Sequence, residues 1–188
     1  NNVVIFAENH DTNRINDFYP KFKNYKQILS VLMTLRGIPQ IYYGSEIGMT
    51  GKKEVGDGDI RRDFPGGWPT DNQNAFSKNG RVSKQAKYYD FSKKLIQWRK
   101  TNAAIHFGKT LHYVPRDDVY VYFRYTDNKR VMIIVNNNTI DQKLSLNRYS
   151  EGIAGRTQAF EIISEASFEL PKVLKIPSET TLIIELSL

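Results

Sequence analysis

Apolar and polar positions follow two different rhythms along this chain, and the change falls near Asn102. In the first part, Val3-Val4-Ile5-Phe6 is a short β-branched run, which predicts a buried parallel strand. A polar loop containing Pro20 follows. From Tyr25 to Arg36 the apolar residues Ile28, Leu29, Leu32, Met33 and Leu35 recur at helical spacing, and Gly37 stands where helices stop. Pro39 to Tyr43 reads as a second strand closed by Gly44. A Gly-rich loop then runs from about Ser45 to Ser83. Lys84 to Lys100 predicts a second helix, with Tyr88, Phe91, Leu95, Ile96 and Trp98 among its apolar positions.

After Asn102 the period shortens. Val119 and Val121 alternate with Tyr120 and Tyr122, which puts valines on one face of a strand and tyrosines on the other. Val131 to Val135 is continuously apolar and ends at Asn136-Asn137-Asn138. Gln158 to Ile163, Val173 to Ile176 and Thr181 to Leu186 complete a set of short strands between turn-rich stretches. That pattern predicts an antiparallel β-sandwich in which no helix is needed. The fold class is therefore α/β followed by all-β, with domains at 1–102 and 103–188. In the first, two parallel strands with a crossover helix make the unit of barrels and doubly wound sheets. Two such units cannot close a barrel, and their outer edges stay unpaired.

Composition narrows the possibilities. With 188 residues, 40% of them hydrophobic, the chain can bury a core and disorder is excluded. Cysteine is absent, which rules out disulfides and zinc-thiolate sites. No apolar run approaches the roughly 18 residues of a membrane span. The net charge of +7 invites a nucleic-acid reading, but the basic residues are single or in pairs such as Lys52-Lys53 and Arg61-Arg62. A solvated surface explains them better, and no nucleic-acid partner is expected.

The densest chemistry follows the first strand: Asn9, His10, Asp11 and Arg14 fall within six residues. Ligands of α/β proteins bind just past the carboxyl ends of strands. Asp11 is the type of group that glycoside cleavage places around an oxocarbenium-like centre. His10 can bond a sugar hydroxyl, and Arg14 could orient Asp11 and keep it charged. Alternatively, Asn9 and Asp11 only cap a turn. The later loop adds Gly44 to Met49 and a stretch from Gly56 to Trp68, and a loop this long is usually functional. Its Asp57, Asp59 and Asp63 alternate, but they lack the terminal glutamate and fixed glycine of a calcium loop. No metal and no cofactor are predicted.

These residues resemble a known family. Phe6-Ala7-Glu8-Asn9-His10-Asp11-Thr12-Asn13-Arg14 is similar to the fourth signature region of the alpha-amylase family of glycoside hydrolases. Gly37-Ile38-Pro39-Gln40-Ile41-Tyr42-Tyr43-Gly44-Ser45-Glu46-Ile47-Gly48-Met49 resembles that family's eighth barrel strand and its loop. Asp57 and Arg61 match an acidic-then-arginine pair that contacts sugar. The neopullulanase and cyclomaltodextrinase branch is the nearest in flavour. The resemblance implies the last two units of a (β/α)8 TIM barrel followed by the β domain.

The resemblance also implies roles. Asp11 would be the third catalytic carboxylate, stabilising the transition state, and His10 would bind the same sugar. Asn9 and Arg14 would support the loop, and Asp57 and Arg61 would line donor-side subsites. Glu8 receives no catalytic role. The family's nucleophilic aspartate and acid/base glutamate would lie upstream of residue 1, and retention needs both, roughly 5 Å apart. The chain is thus expected to be the back part of a retaining enzyme acting on starch-like glucans or maltodextrins, inactive by itself. A non-catalytic carbohydrate-binding module is the alternative. Self-association through the open barrel edge is expected, and relatives of this kind are often secreted or periplasmic.

Overall fold

The computed structural model describes residues 3–188. These fall into two compact units, one reaching Leu32 and resuming at Gly37–Ile96, the other made of Met33–Arg36 with Gln97–Leu188.

In the first unit β1 (Val4–Phe6) leads through α1 (Ile15–Phe18) and α2 (Phe22–Thr34) to β2 (Ile38–Gln40). The two strands pair in parallel, with Val4 opposite Ile38 and Phe6 opposite Gln40. The expected strand–helix–strand alternation is present, but β1 is not buried. Val4, Phe6 and Ile38 are about half exposed, because among the described residues of this unit none covers that face of the two-stranded sheet. Gly37 makes the turn between α2 and β2. Its φ is +131°, and a Cβ there would stand 2.8 Å from the Val3 carbonyl oxygen. The second strand stops at Gln40 rather than Tyr43, since the chain turns as Ser45 donates its backbone N–H to the Tyr42 carbonyl.

After α3 (Asp57–Ile60) comes α4 (Ser83–Thr101). Tyr25 and Leu29 of α2 are buried, as are Tyr88, Phe91 and Leu95 of α4. The Tyr25 and Tyr88 rings lie 4.7 Å apart, and Tyr25 Oη is 2.8 Å from Ser92 Oγ. Helix α2 starts one turn before Tyr25 because Phe22 packs on this aromatic cluster, 4.8 Å from the Tyr88 ring.

The second unit takes in the ends of α2 and α4, and then α5 (Ala103–Phe107). The strands follow as β3 (Lys109–His112), β4 (Val119–Tyr125), β5 (Arg130–Asn136) and β6 (Gln142–Ser145). After α6 (Ser150–Ile153) come β7 (Gln158–Glu161), β8 (Ala166–Glu169), β9 (Val173–Ile176) and β10 (Thr180–Ser187). One antiparallel sheet has the order β3-β4-β5-β10-β7-β8, and β6 pairs with β9 in a second. Val119, Val121, Phe123, Met132, Ile134 and Ile184 from the large sheet form one buried core with Ile176 of β9.

The alternation read from sequence holds on β4. The valines face this core, while Tyr122 lies fully buried on the opposite face with its hydroxyl beside Thr34 Oγ1. Burial pushes the Tyr122 hydroxyl pKa up. Two short helices contradict the all-strand expectation. Asn102 creates α5 by accepting the Ala104 and Ile105 N–H groups on Oδ1 at 3.1 and 3.3 Å. Strands β3, β6 and β8 escaped the pattern because they have four residues each and are mostly exposed.

Candidate active-site loops

The loop after β1 is a side-chain-built turn. Asn9 Oδ1 accepts the Asp11 N–H at 2.9 Å, and Asn9 N donates to Thr12 Oγ1 at 3.0 Å. This Asx turn holds His10 and Asp11 outward, where their side chains are 61% and 58% exposed. Asn9 therefore shapes the loop, while the carboxylate and imidazole are presented to solvent.

Beneath the turn lies a buried polar node. Glu8 is 2% exposed and Arg14 is fully buried. Arg14 Nη1 donates to Glu8 Oε1 at 3.4 Å and to the Tyr43 carbonyl at 2.6 Å, and Arg14 Nε donates to the Ile60 carbonyl at 3.0 Å. Its guanidinium lies 3.9 Å over the Tyr42 ring. Glu8 also accepts the Ile15 N–H, so it starts α1, and the Ser45 hydroxyl. The Arg14 backbone N–H reaches the Gly51 carbonyl at 2.9 Å. Gly51 has to be glycine, since a Cβ would stand 2.4 Å from the Asp59 carbonyl oxygen. One ion pair thus ties together the turn after β1, the turn after β2 and the Gly51–Arg61 stretch.

This corrects the expectation that Arg14 orients Asp11. Burial turns the Arg14 side chain inward to Glu8 and the Tyr43 and Ile60 carbonyls, and Arg61 meets Asp11 instead. Arg61, just after α3, donates through Nη2 to Asp11 Oδ1 at 3.0 Å and through Nε to the His10 carbonyl at 3.0 Å. The same Nη2 is 2.9 Å from Asp57 Oδ2 one helical turn earlier, and Lys53 pairs with the other Asp57 oxygen. His10 Nε2 is 3.1 Å from Asp11 Oδ2. His10, Asp11, Arg61 and Asp57 therefore form a continuous exposed chain of polar contacts. The Lys53 hydrogen bond, then the charges of Arg61, Lys53 and His10, hold Asp57 below the usual carboxylate range. The Lys52 N–H and the Arg62 charge do the same for Asp59. Burial acts oppositely on Glu46, raising its carboxyl above the usual range.

Trp68 is 60% exposed, and its indole N–H donates to Asp63 at 3.0 Å. The Glu8–Arg14 node and the Tyr42 face under it were missed in the sequence. The available signal was a pair of opposite charges six residues apart at a strand end, beside two consecutive tyrosines.

A parallel strand pair with a polar Asn-His-Asp loop at its carboxyl end, followed by a two-sheet β unit, defines a class. The chain belongs to the alpha-amylase family. More particularly, residues 110–185 match the family model described as the Cyclo-malto-dextrinase C-terminal domain. The cyclomaltodextrin glucanotransferase of Niallia circulans is 33% identical over 138 residues, 73% of this chain and 17% of that protein. An alpha-amylase of the same organism is 32% identical over 138 residues, covering 73% of this chain and 23% of its own length. The crystal structure of the Geobacillus thermoleovorans alpha-amylase complexed with acarbose superposes with a TM-score of 0.77 at 20% identity, covering 100% of this chain and 39% of that one. The chain thus spans less than a quarter of the curated relatives named here.

Proposed function

We propose that this chain forms part of a retaining enzyme that cleaves α-glucosidic bonds in starch-like glucans or cyclomaltodextrins, in the cyclomaltodextrinase and neopullulanase branch. In this reading β1 and β2 are the last two strands of a (β/α)8 barrel, residues 1–102 belong to the catalytic domain, and 103–188 form the β-sandwich domain after it. The observation that carries it is the exposed His10–Asp11–Arg61–Asp57 chain of contacts beyond the carboxyl ends of two parallel strands.

Asp11 supplies two carboxylate oxygens, one held by Arg61 and one by His10. Vicinal sugar hydroxyls would take over those contacts and bond Asp11 more strongly as positive charge grows on the ring. His10 would bond the same sugar. Arg61 and Asp57 would line the donor side, and Asn9 and Arg14 hold the loop. Neither unit contains a pair of carboxylates matching the family's nucleophile and acid/base motifs, so the chain by itself would be inactive.

The test is to fuse this chain behind the first six βα units of a relative and compare turnover on maltooligosaccharides with Asp11→Asn. A fall of about 10²–10³-fold in kcat is expected, the scale of losing one such stabilising group. Unchanged turnover would sink the assignment. The bare face of β1 and β2 supports self-association of the isolated chain. Sedimentation velocity should show a concentration-dependent species that Val4→Lys/Phe6→Lys removes, and a monomer at all concentrations would refute this.

A further inference from the structure

The β-rich unit holds a cavity of about 240 Å3 whose lining shares no residue with the Asp11 constellation. Its wall is set by strand register. Phe160 of β7 stands opposite Glu185 of β10, and Glu185 stands opposite Val131 of β5. The neighbours of Glu185 on β10, Ile184 and Leu186, point into the core. The row Phe160–Glu185–Val131 therefore lies on the other face of the large sheet. Part of that face is closed, since Tyr122, Ile133 and Ile183 are fully buried. Phe160 remains 37% exposed at the cavity.

One polar group at this cavity is fixed in advance. Glu185 Oε1 accepts the Trp98 indole N–H at 2.7 Å and the Asn102 side-chain amide at 2.8 Å. Among the described residues its second oxygen has no partner and can accept from a ligand. Lys129, in the β4–β5 hairpin, adds a donor at the rim, whereas the Arg130 side chain turns to the core face, where its guanidinium lies over Tyr125.

An aromatic wall, an apolar floor, one oriented acceptor and one donor at the rim select a neutral ring with an apolar face and a rim of hydroxyls. An anion would meet the Glu185 carboxylate, and a cation would meet Lys129. We propose that this cavity is a sugar subsite that holds one pyranose unit. The choice of an α-glucan over other sugars rests on the function proposed above. Such a subsite would hold a glucan chain to the β unit independently of the Asp11 loop.

Trp98 is a built-in reporter, because the chain has only two tryptophans and Trp98 donates to Glu185. In the Trp68→Phe chain, titration with maltose and maltotriose is followed by Trp98 fluorescence and its indole N–H resonance, with the His10 ring resonances read in parallel. A saturable Trp98 response is expected, unchanged by Asp11→Asn. Glu185→Gln keeps an acceptor for Trp98 and Asn102 but loses the free carboxylate oxygen, and should weaken binding about tenfold. Phe160→Ala should weaken it similarly, with circular dichroism reporting that the strands persist. A silent Trp98 beside a responding His10 would overturn the subsite and leave the glucan reading standing. Silence at both would overturn the subsite and count against the glucan reading as well. A Trp98 response equally strong in both variants would also overturn it.

Discussion

The two units of this chain build their strands from opposite materials. β1 and β2 have three residues each, one face of the pair is half exposed, and the loops beyond them are polar. β4, β5 and β10 have seven or eight residues, and their inward side chains are almost wholly apolar and buried. In the β-rich unit, order comes from removing apolar area from water, a term spread over many side chains. Around the Asp11 loop, order comes from one ion pair and the backbone carbonyls it gathers. A distributed term tolerates local damage, whereas a node that joins three loops does not.

The sharpest way to break that contrast is at the node. Arg14→Met leaves the Glu8 carboxylate buried among Ile15, Ser45 and Tyr42 without its cation. Removing one member of a buried pair costs about 3–5 kcal/mol. Hydrogen exchange should show protection lost through residues 8–61 and retained in β4, β5 and β10. The double variant Glu8→Leu/Arg14→Met should recover much of the loss, because it leaves no orphaned charge. If the single variant exchanged like the parent chain, the node would not be what orders the loops.

The matching cut in the other unit is Phe123→Ala. Phe123 is fully buried in the core that joins the two sheets. Truncating such a side chain costs about 3–5 kcal/mol through lost burial and the cavity left behind. Denaturation should then show the β-rich unit unfolding earlier, with the His10 and Asp11 resonances unmoved until its midpoint is passed. Simultaneous loss of both sets of signals at lower denaturant would mean the units do not unfold separately.

What could be read from the residues follows the same division. The strands β4, β5, β9 and β10 were legible because alternation and apolar runs report burial directly. The Asn-His-Asp turn was legible because its side chains cap their own backbone, a local effect. The partner of Asp11 was not. Arg14 and Arg61 are the same residue type, three and fifty positions away, and proximity in sequence favoured the wrong one. Which arginine turns inward depends on Glu8, Tyr42 and the Ile60 carbonyl arriving together, and only the fold assembles them. Likewise Asn102 looked like a boundary, but its amide caps α5 and fixes Glu185. A residue whose partners lie 83 positions on carries no local signature.

The smallest effect concerns Glu46 and reads as a slope rather than a loss. Burial raises its carboxyl above the usual value of 4.5, with the Glu8 charge adding to the rise and the Arg14 charge opposing it. An acid whose pKa is higher when folded favours the fold in its protonated form. Its contribution is therefore fully present below the unfolded value and is lost as pH rises through the folded one. Asp57, held low by Lys53 and Arg61, and Asp59, held low by the Lys52 N–H and Arg62, act in the opposite sense, but Asp57 is exposed and Asp59 partly so, and solvent screens them. Denaturation of the first unit across mildly acidic to neutral pH should show stability declining above the ordinary carboxylate range. Glu46→Gln, which stays neutral throughout, should remove that decline and leave the β-rich unit's pH profile unchanged. A decline that persists in Glu46→Gln would show that another group sets the slope and would overturn this assignment.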